Sequence, residues 1–338
     1  MRQVTMGDVA KKCKLSVATV SRVYTDPEKV SPKNREKVYK AIQELNYQPN
    51  ALARNLRKLQ TNSILVIIPN IMNTFFSYIL CAIQKVAFNS GYKVLLGDTD
   101  SSPEMEAKYL YYLQQKLVDG VILLYPRSNP EEIQKIAGEY PVVIVGQQAP
   151  ESSIPFVINS NFLSSQTATE HMIKLGHRRI AHFSGRLSQP VSRERQKGFV
   201  FAMEANGLDV DKSLVCEGDF YFDSGHALAL KLLSSAQPPS ALVAASDEMA
   251  IGAIKAARKL GVRVPEDFAI IGFDDIKMAS ICEPALTTMA QPKEELARLS
   301  TEMLLSYIKG EPPHQNCVVL NDQLIIRESC GWALLNND

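Results

Sequence analysis

Short runs of branched apolar residues recur from Ser63 onward, each bounded by polar or turn residues and each too short for a buried helix. Ile64–Ile68, Lys93–Gly97, Val121–Leu124, Val142–Val145, Ile180–Phe183, Ala241–Ala245 and Phe268–Ile271 read as buried parallel strands. A strand covered on both faces has no polar side to alternate with. Longer stretches between them, such as 74–90, 162–176, 190–206 and 247–260, read as helices. This βαβ rhythm predicts an α/β body of doubly wound parallel sheets. Two blocks of about five strands imply two subdomains, with a cleft between the carboxyl ends of their strands. No G-x-G-x-x-G follows the first strand, which disfavours a dinucleotide enzyme.

The first sixty residues carry a different pattern. Thr5-Met6-Gly7-Asp8 places a hydroxyl three residues before a carboxylate, a capping box with Asp in the usual Glu place. A helix follows to about Cys13 with Val9 and Ala10 inward, and Lys14-Leu15 make a turn. Ser16 caps a second helix from Val17 to about Tyr24, with Val20 and Val23 inward, and Asp26-Pro27 breaks it. Ser31-Pro32 opens a third to about Leu45, whose Val38, Ile42 and Leu45 form the floor of the bundle. Helices at this spacing make a helix-turn-helix, the second helix of which lies in the DNA major groove. Its outward residues are Val17, Ala18, Thr19, Ser21 and Arg22. Arg22 suits a bidentate contact to guanine, and Val17 and Ala18 suit a thymine methyl. The plainer reading of Arg22 is a phosphate contact or a solvated side chain. Ser16 and Thr5 sit at helix N-termini, where hydroxyl and amide groups favour phosphate.

A fourth segment, Tyr47 to Lys58, is helical in character from Pro49 but spans only about two and a half turns, so it forms stably only when docked. Leu56 lies among Arg54, Arg57 and Lys58, either as a wedge for the minor groove or as a packed residue of a flexible linker.

Charge sharpens the division. Residues 1–60 hold thirteen Lys and Arg against five Asp and Glu, a net of +8; the other 278 hold 24 against 31, a net of −7. A basic head on a mildly acidic body is the footprint of a modular polyanion binder. No run of about 18 uncharged apolar residues occurs, so no membrane span is expected. The N-terminus carries no signal-peptide core. The six cysteines lie far apart with no C-x-x-C pair, which predicts buried thiols in a reducing cytoplasm and neither a metal site nor a cofactor.

Residues 4–57, from Val4-Thr5-Met6-Gly7-Asp8-Val9-Ala10 to Asn46-Tyr47-Gln48-Pro49-Asn50-Ala51-Leu52-Ala53-Arg54, resemble the headpiece and hinge of the lactose/galactose repressor family. The resemblance continues to about Ser329 through Val118-Asp119-Gly120-Val121, Leu175-Gly176-His177-Arg178-Arg179-Ile180, Ser246-Asp247-Glu248-Met249-Ala250-Ile251-Gly252 and Ile271-Gly272-Phe273-Asp274-Asp275. It implies a core shared with periplasmic sugar-binding proteins. It implies Val17, Ala18 and Arg22 as base readers, Asn50 and Arg57 as further DNA contacts, and Leu56 as the wedge. It also implies an effector site of Phe75, Phe76, Gln147, Gln189, Arg195, Phe220, Ser246 and Asp274. Asp274 would accept from sugar hydroxyls and Arg195 would donate to them. The phenylalanines would offer faces to a ring or else belong to the core. A finer likeness, to cytidine-responsive repressors of nucleoside uptake, rests on Asn73-Thr74-Phe75-Phe76, Gln237-Pro238-Pro239 and Ala290-Gln291-Pro292.

Several positions depart from the family pattern. Lys14 stands where Gly or Asn is frequent, at a cost on the order of 1 kcal/mol if φ is positive there. Thr74 replaces a proline, so that helix start is expected to differ. Gly146-Gln147 replace Asp-Arg, and Asn159-Ser160 replace Asp-Asn, which leaves sugar, sugar acid and nucleoside all open as effectors.

The expected organisation is a headpiece at 1–46, a hinge at 47–60 and an effector-binding, dimerising body at 61–338. Its two subdomains are 61–160 with 292–322, and 161–291 with 323–338. The function expected is a cytoplasmic, ligand-responsive repressor that reads near-palindromic operator DNA as a homodimer. About nine residues follow Ser329, too few for the heptads of a tetramerising helix. The rivals are a periplasmic-type sugar-binding protein and an α/β enzyme. No nucleophile elbow, P-loop or H-E-x-x-H supports catalysis, and His171, His177 and His182 read as capping, packing or solvated residues.

Overall fold

The computed structural model describes residues 4–47, 60–148, 153–311 and 315–332. Internal contacts divide the chain into two units, Met1–Thr61 and Asn62–Asp338.

In the first unit, α1 (Met6–Cys13), α2 (Val17–Thr25) and α3 (Pro32–Leu45) form the helical head. The capping box is reciprocal: the Asp8 amide donates to the Thr5 hydroxyl (3.3 Å), and the Thr5 amide donates to the Asp8 carboxylate (2.9 Å). Ser16 Oγ accepts from the Thr19 amide (3.1 Å) and so starts α2. Val9, Val20, Val23 and Val38 are fully buried, each contributing about 1.5–3 kcal/mol, with Ala10, Ala41 and Tyr47 beside them. Ile42 and Leu45 pack only at the edge of this core, because Ala41 and Tyr47 take the central places.

Lys14 ends α1 in the left-handed region (φ 55°). The tight turn into Ser16 demands that conformation, which strains an L side chain. Lys14→Gly is therefore expected to stabilise the head by about 1 kcal/mol. The gain would be read as slower hydrogen exchange at the Val20 and Val23 amides of the full chain, and unchanged exchange would show that the turn is not strained.

The second unit holds two six-stranded sheets. The first contains β1 (Ser63–Ile68), β2 (Lys93–Asp98), β3 (Gly120–Leu124), β4 (Val142–Val145), β5 (Phe156–Asn159) and β11 (Cys317–Leu320), in the order β11-β5-β4-β3-β1-β2, all parallel. The second contains β6 (Ile180–Ser184), β7 (Val215–Glu217), β8 (Ala241–Ala244), β9 (Ala269–Asp274), β10 (Thr287–Ala290) and β12 (Gln323–Ile325), in the order β12-β10-β9-β8-β6-β7. Here β12 runs antiparallel to β10, an exception to the all-parallel expectation. β5, β7, β10 and β12 lack the apolar runs that announce the others, while β11, an apolar run as long as β4, was not anticipated. β7, β11 and β12 are half-exposed edges, and β10 spends its buried threonine hydroxyls on hydrogen bonds.

Helices cover both faces of each sheet. Ile64, Val66 and Ile68 pack against α4 (Thr74–Asn89) and α11 (Lys293–Ile308), while Leu65 and Ile67 face α5 (Pro103–Gln114) and α6 (Pro130–Ala137). The second sheet lies between α7 (Asn161–Lys174) with α8 (Pro190–Ala205) and α9 (Phe222–Leu233) with α10 (Asp247–Lys259). The period-2 alternation thus serves two apolar layers, which is why these strands read as continuous hydrophobic runs. The chain passes between the sheets three times: after Asn159, after Ala290, and between Leu320 and Gln323.

Two expectations are corrected here. Helix α4 begins at Thr74, as its apolar pattern predicted, and Asn73 caps it in place of a proline by accepting from the Phe75 amide (3.0 Å). The cysteines are not uniformly buried: Cys13 and Cys330 are, but Cys81 is exposed on the side of α4 opposite Ile79 and Ile83. Among the described residues no helix is long and apolar enough to cross a membrane.

Candidate functional site

Loops that follow β1, β2 and β3 of the first sheet and β6, β7, β9 and β10 of the second meet at the strands' carboxyl ends, where a cavity of about 260 Å³ opens between the subdomains. Arg195 forms its base. It lies in the second turn of α8 and is buried, its guanidinium flat against the Phe273 ring (3.5 Å to the centroid). Its Nε donates to Asn161 Oδ1 (2.8 Å) and Nη1 to the Ala245 carbonyl. Asp274 ends β9 in a left-handed conformation (φ 117°) and accepts from Gln291 Nε2 (2.5 Å). Lys293 donates to the Asp274 carbonyl. Burial pushes the Asp274 carboxyl up to about 7, although Arg195 and Lys293 pull the other way. Asp247, behind it, is raised well above the carboxylate range by burial and then by Asp274. It accepts from Thr288 Oγ1 (2.5 Å) and the Ile276 amide (2.8 Å).

Both groups bind protons more tightly folded than unfolded, so stability is greatest below the ordinary carboxylate range and falls as pH rises toward 7. Urea unfolding between pH 4 and 8 should show this decline, up to about tenfold in the folding constant per pH unit for each group. Asp274→Asn should flatten it, and an unchanged slope in that variant would remove Asp274 as its source.

The aromatic wall comes from the other subdomain. Phe75, Phe76 and Tyr125 meet edge to face at centroid distances of 5.4, 6.1 and 5.7 Å. Tyr125 fits there because residue 146 is glycine: a Cβ on Gly146 (φ 86°) would lie 2.2 Å from the tyrosine ring. Where the family pattern has an acid at 146, this cleft holds a phenol ring. Phe220 faces the wall in a left-handed conformation (φ 76°), its ring over Gly185, where a Cβ would come within 2.1 Å.

Of the residues expected in the effector site, the cavity is lined by Phe75, Phe76, Gln189, Arg195, Phe220 and Asp274. Gln189 Oε1 is buried there without a hydrogen-bond partner. Gln147 and Ser246 are not in the lining. Gln147 turns away to donate to the Pro126 carbonyl (3.2 Å). Ser246 caps α10 and donates to the Phe220 carbonyl (2.8 Å), so it holds Phe220 rather than facing the cavity. Tyr125, Arg127, Arg186 and Gln291 line the cavity without having been expected. The acid lost at 159 has a counterpart at the crossover: Asn159 and Ser164 donate to Asp322 Oδ2 (2.8 and 2.7 Å). Burial raises that carboxyl.

In the head, α2 presents Val17, Ala18 and Arg22 to solvent, with Thr19 and Ser21 half-buried. Ser16 and Thr19 hydroxyls bond each other (2.8 Å) beside the helix N-terminus. The Thr5 hydroxyl donates to Asp8 (2.6 Å), so a phosphate contact from Thr5 would require opening its capping box. Asn50, Leu56 and Arg57, and the hinge between Tyr47 and Gln60, lie outside the described residues.

Comparison with known proteins covers both units. Residues 5–50 match the family described as bacterial regulatory proteins, lacI family, and residues 169–330 match a periplasmic binding protein-like domain. The chain is 37% identical to the HTH-type transcriptional repressor CytR of Escherichia coli strain K12, over 96% of each sequence. It is 33% identical to the catabolite control protein A of Priestia megaterium, over 96% of this chain and 99% of that one. Its fold is similar to that of the lac repressor dimer bound to operator and an anti-inducer, at a TM-score of 0.88 and 30% identity, covering 97% of this chain and 99% of that chain.

Proposed function

Because the chain belongs to the LacI family of bacterial regulatory proteins, and is a ligand-responsive transcriptional repressor, we propose that its cleft grips the hydroxyls of a ring-shaped effector, a nucleoside or sugar. The observation that carries this is the buried pair at the base of the cavity: Asp274 can accept and Arg195 can donate, opposite an aromatic wall that suits a planar or cyclic face. The likeness of Asn73-Thr74-Phe75-Phe76, Gln237-Pro238-Pro239 and Ala290-Gln291-Pro292 to cytidine-responsive repressors favours a nucleoside.

On the DNA side, two copies read a near-palindromic operator in the cytoplasm, without catalytic chemistry. Helix α2 lies in the major groove, with Val17, Ala18 and Arg22 on base edges and Ser16, Thr19 and Ser21 toward phosphates. Thr5 joins them only if its box opens. Asn50, Leu56 and Arg57 engage the minor groove when the hinge docks. The second copy covers the apolar edge of the first sheet, where Leu95 and Leu96 on β2 are 45% and 36% exposed and Phe88 is 78% exposed. Effector binding alters the angle between subdomains, and it shifts operator affinity only by its own difference in affinity between the two states.

Titrating full-length protein onto operator duplexes at several salt concentrations, with and without cytidine, tests the whole reading. Arg22→Ala should weaken binding by about 1–3 kcal/mol and relax base preference at one position of each half-site. Salt-independent binding, or an effector that binds and leaves operator affinity untouched, would overturn it.

A further inference from the structure

We propose that the effector carries an anionic group, a phosphate monoester or a carboxylate, held at the cleft between Arg127 of one subdomain and Arg186 of the other. This rests on the reading of the cleft as the effector site and narrows the ligand that it takes.

Arg127 follows β3 and Arg186 follows β6, so each stands at the carboxyl end of a strand in a different sheet, and both line the one cavity. Neither guanidinium makes a hydrogen bond or an ion pair with a described residue. For Arg127 this is costly, because its Nε is fully buried and has no acceptor. Glu106 lies close enough to attract it, but the two Glu106 oxygens accept the backbone amides of Arg127 (2.9 Å) and Ser128 (3.0 Å). Arg186 is exposed at the cleft and near enough to repel Arg127, and the two side chains line the same cavity from different subdomains.

The acids of the cavity do not relieve this. Asp100 accepts from Asn70 Nδ2 (3.0 Å) and Asp219 from the Tyr221 amide (2.9 Å), and neither is paired with an arginine. Asp274 is engaged with Gln291 and Lys293, at the base of the cleft beside Arg195. A buried donor without an acceptor costs the full desolvation of that group, and two like charges oppose any motion that brings the subdomains together. An anion between them supplies the missing acceptor and turns repulsion into attraction from both sides. Arginine forks suit the paired oxygens of phosphate or carboxylate. The anion therefore does more than add affinity: it draws the two subdomains together and so acts on the angle that effector binding alters.

The test is calorimetric titration of the full chain with inorganic phosphate and with matched pairs: cytidine and cytidine 5′-monophosphate, ribose and ribose 5-phosphate, glucose and gluconate. At least one anionic member should bind roughly tenfold or more tighter than its neutral partner. Arg127→Gln with Arg186→Gln should shrink that gap to about twofold, whereas Arg127→Lys with Arg186→Lys, which keeps the charge, should retain part of it. Asp274→Asn should weaken both members of the pair and leave the gap. If no anionic probe binds at millimolar concentration, or if the gap survives the double glutamine variant, the anion subsite is overturned while the cleft can still stand. A ligand indifferent to both the glutamine variants and Asp274→Asn would place the effector elsewhere and overturn both. A phosphate preference over gluconate would identify the group as a phosphate monoester, and the reverse a carboxylate.

Discussion

Arg195→Met is expected to weaken effector binding by more than about 100-fold and to lower stability by about 3–5 kcal/mol at neutral pH. The guanidinium is buried against Phe273, tied to Asn161 and to the Ala245 carbonyl, and is the largest influence holding the Asp274 carboxyl down against burial. Methionine fills much of the same volume, so the loss would reflect charge and hydrogen bonds rather than a cavity. Without the cation, the Asp274 and Asp322 carboxyls rise further, since Arg195 lowers both. The stability cost should then shrink as pH falls below 7, where Asp274 is protonated in either form of the protein. Calorimetry and urea unfolding at pH 5 and 8 would measure the two effects. A variant that binds effector normally, or one equally destabilised at both pH values, would show that Arg195 is packing alone.

Gly146→Ala should destabilise the body by about 2–4 kcal/mol, from overlap and backbone strain together. The added carbon would fall 2.2 Å from the Tyr125 ring, and φ is 86° at that position. Tyr125 has little room to yield, because Phe75 and Phe76 hold it edge-on and its hydroxyl reaches Gln291 (3.4 Å). The double-mutant cycle with Tyr125→Ala decides the mechanism by thermal unfolding. If ring overlap is the cause, the two changes together should cost less than their sum; strict additivity would leave backbone strain as the whole effect.

The sequence was legible where one local pattern carried the information. Helix boundaries in the head followed from the caps Thr5 and Ser16 and from Pro32 in the first turn of α3, where the Ser31 side chain makes no capping bond, because such signals act within a few residues. Runs such as Ile64–Ile68 announced central strands. Thr287–Ala290 did not, because its buried hydroxyls resemble surface residues until Asp247 and Arg327 are brought beside them. The same limit applies to the cleft. Asp274 and Arg195 were reachable through resemblance, but Arg127 and Arg186 come from unrelated loops that only the sheet topology sets together. Gln147 and Ser246 show the converse: each sits in a loop at the right end of its sheet, yet a nearby carbonyl claims its side chain.

The three passages between the sheets also bear on how the protein is made. The first sheet gains its last strand, β11, only from residues 317–320, and α11, which covers one of its faces, from residues 293–308. Synthesis runs from the N-terminus, so the segment through Asn159 leaves the ribosome with β5 as a bare edge and with one apolar face covered only by α4. It waits in that condition while the entire second sheet up to Ala290 is produced. The first subdomain cannot be finished until nearly all of the second has been made, and the nascent chain carries an open strand edge for much of its time in translation. In this architecture a stop codon shortly before residue 317 would leave the sheet translated first without its edge strand.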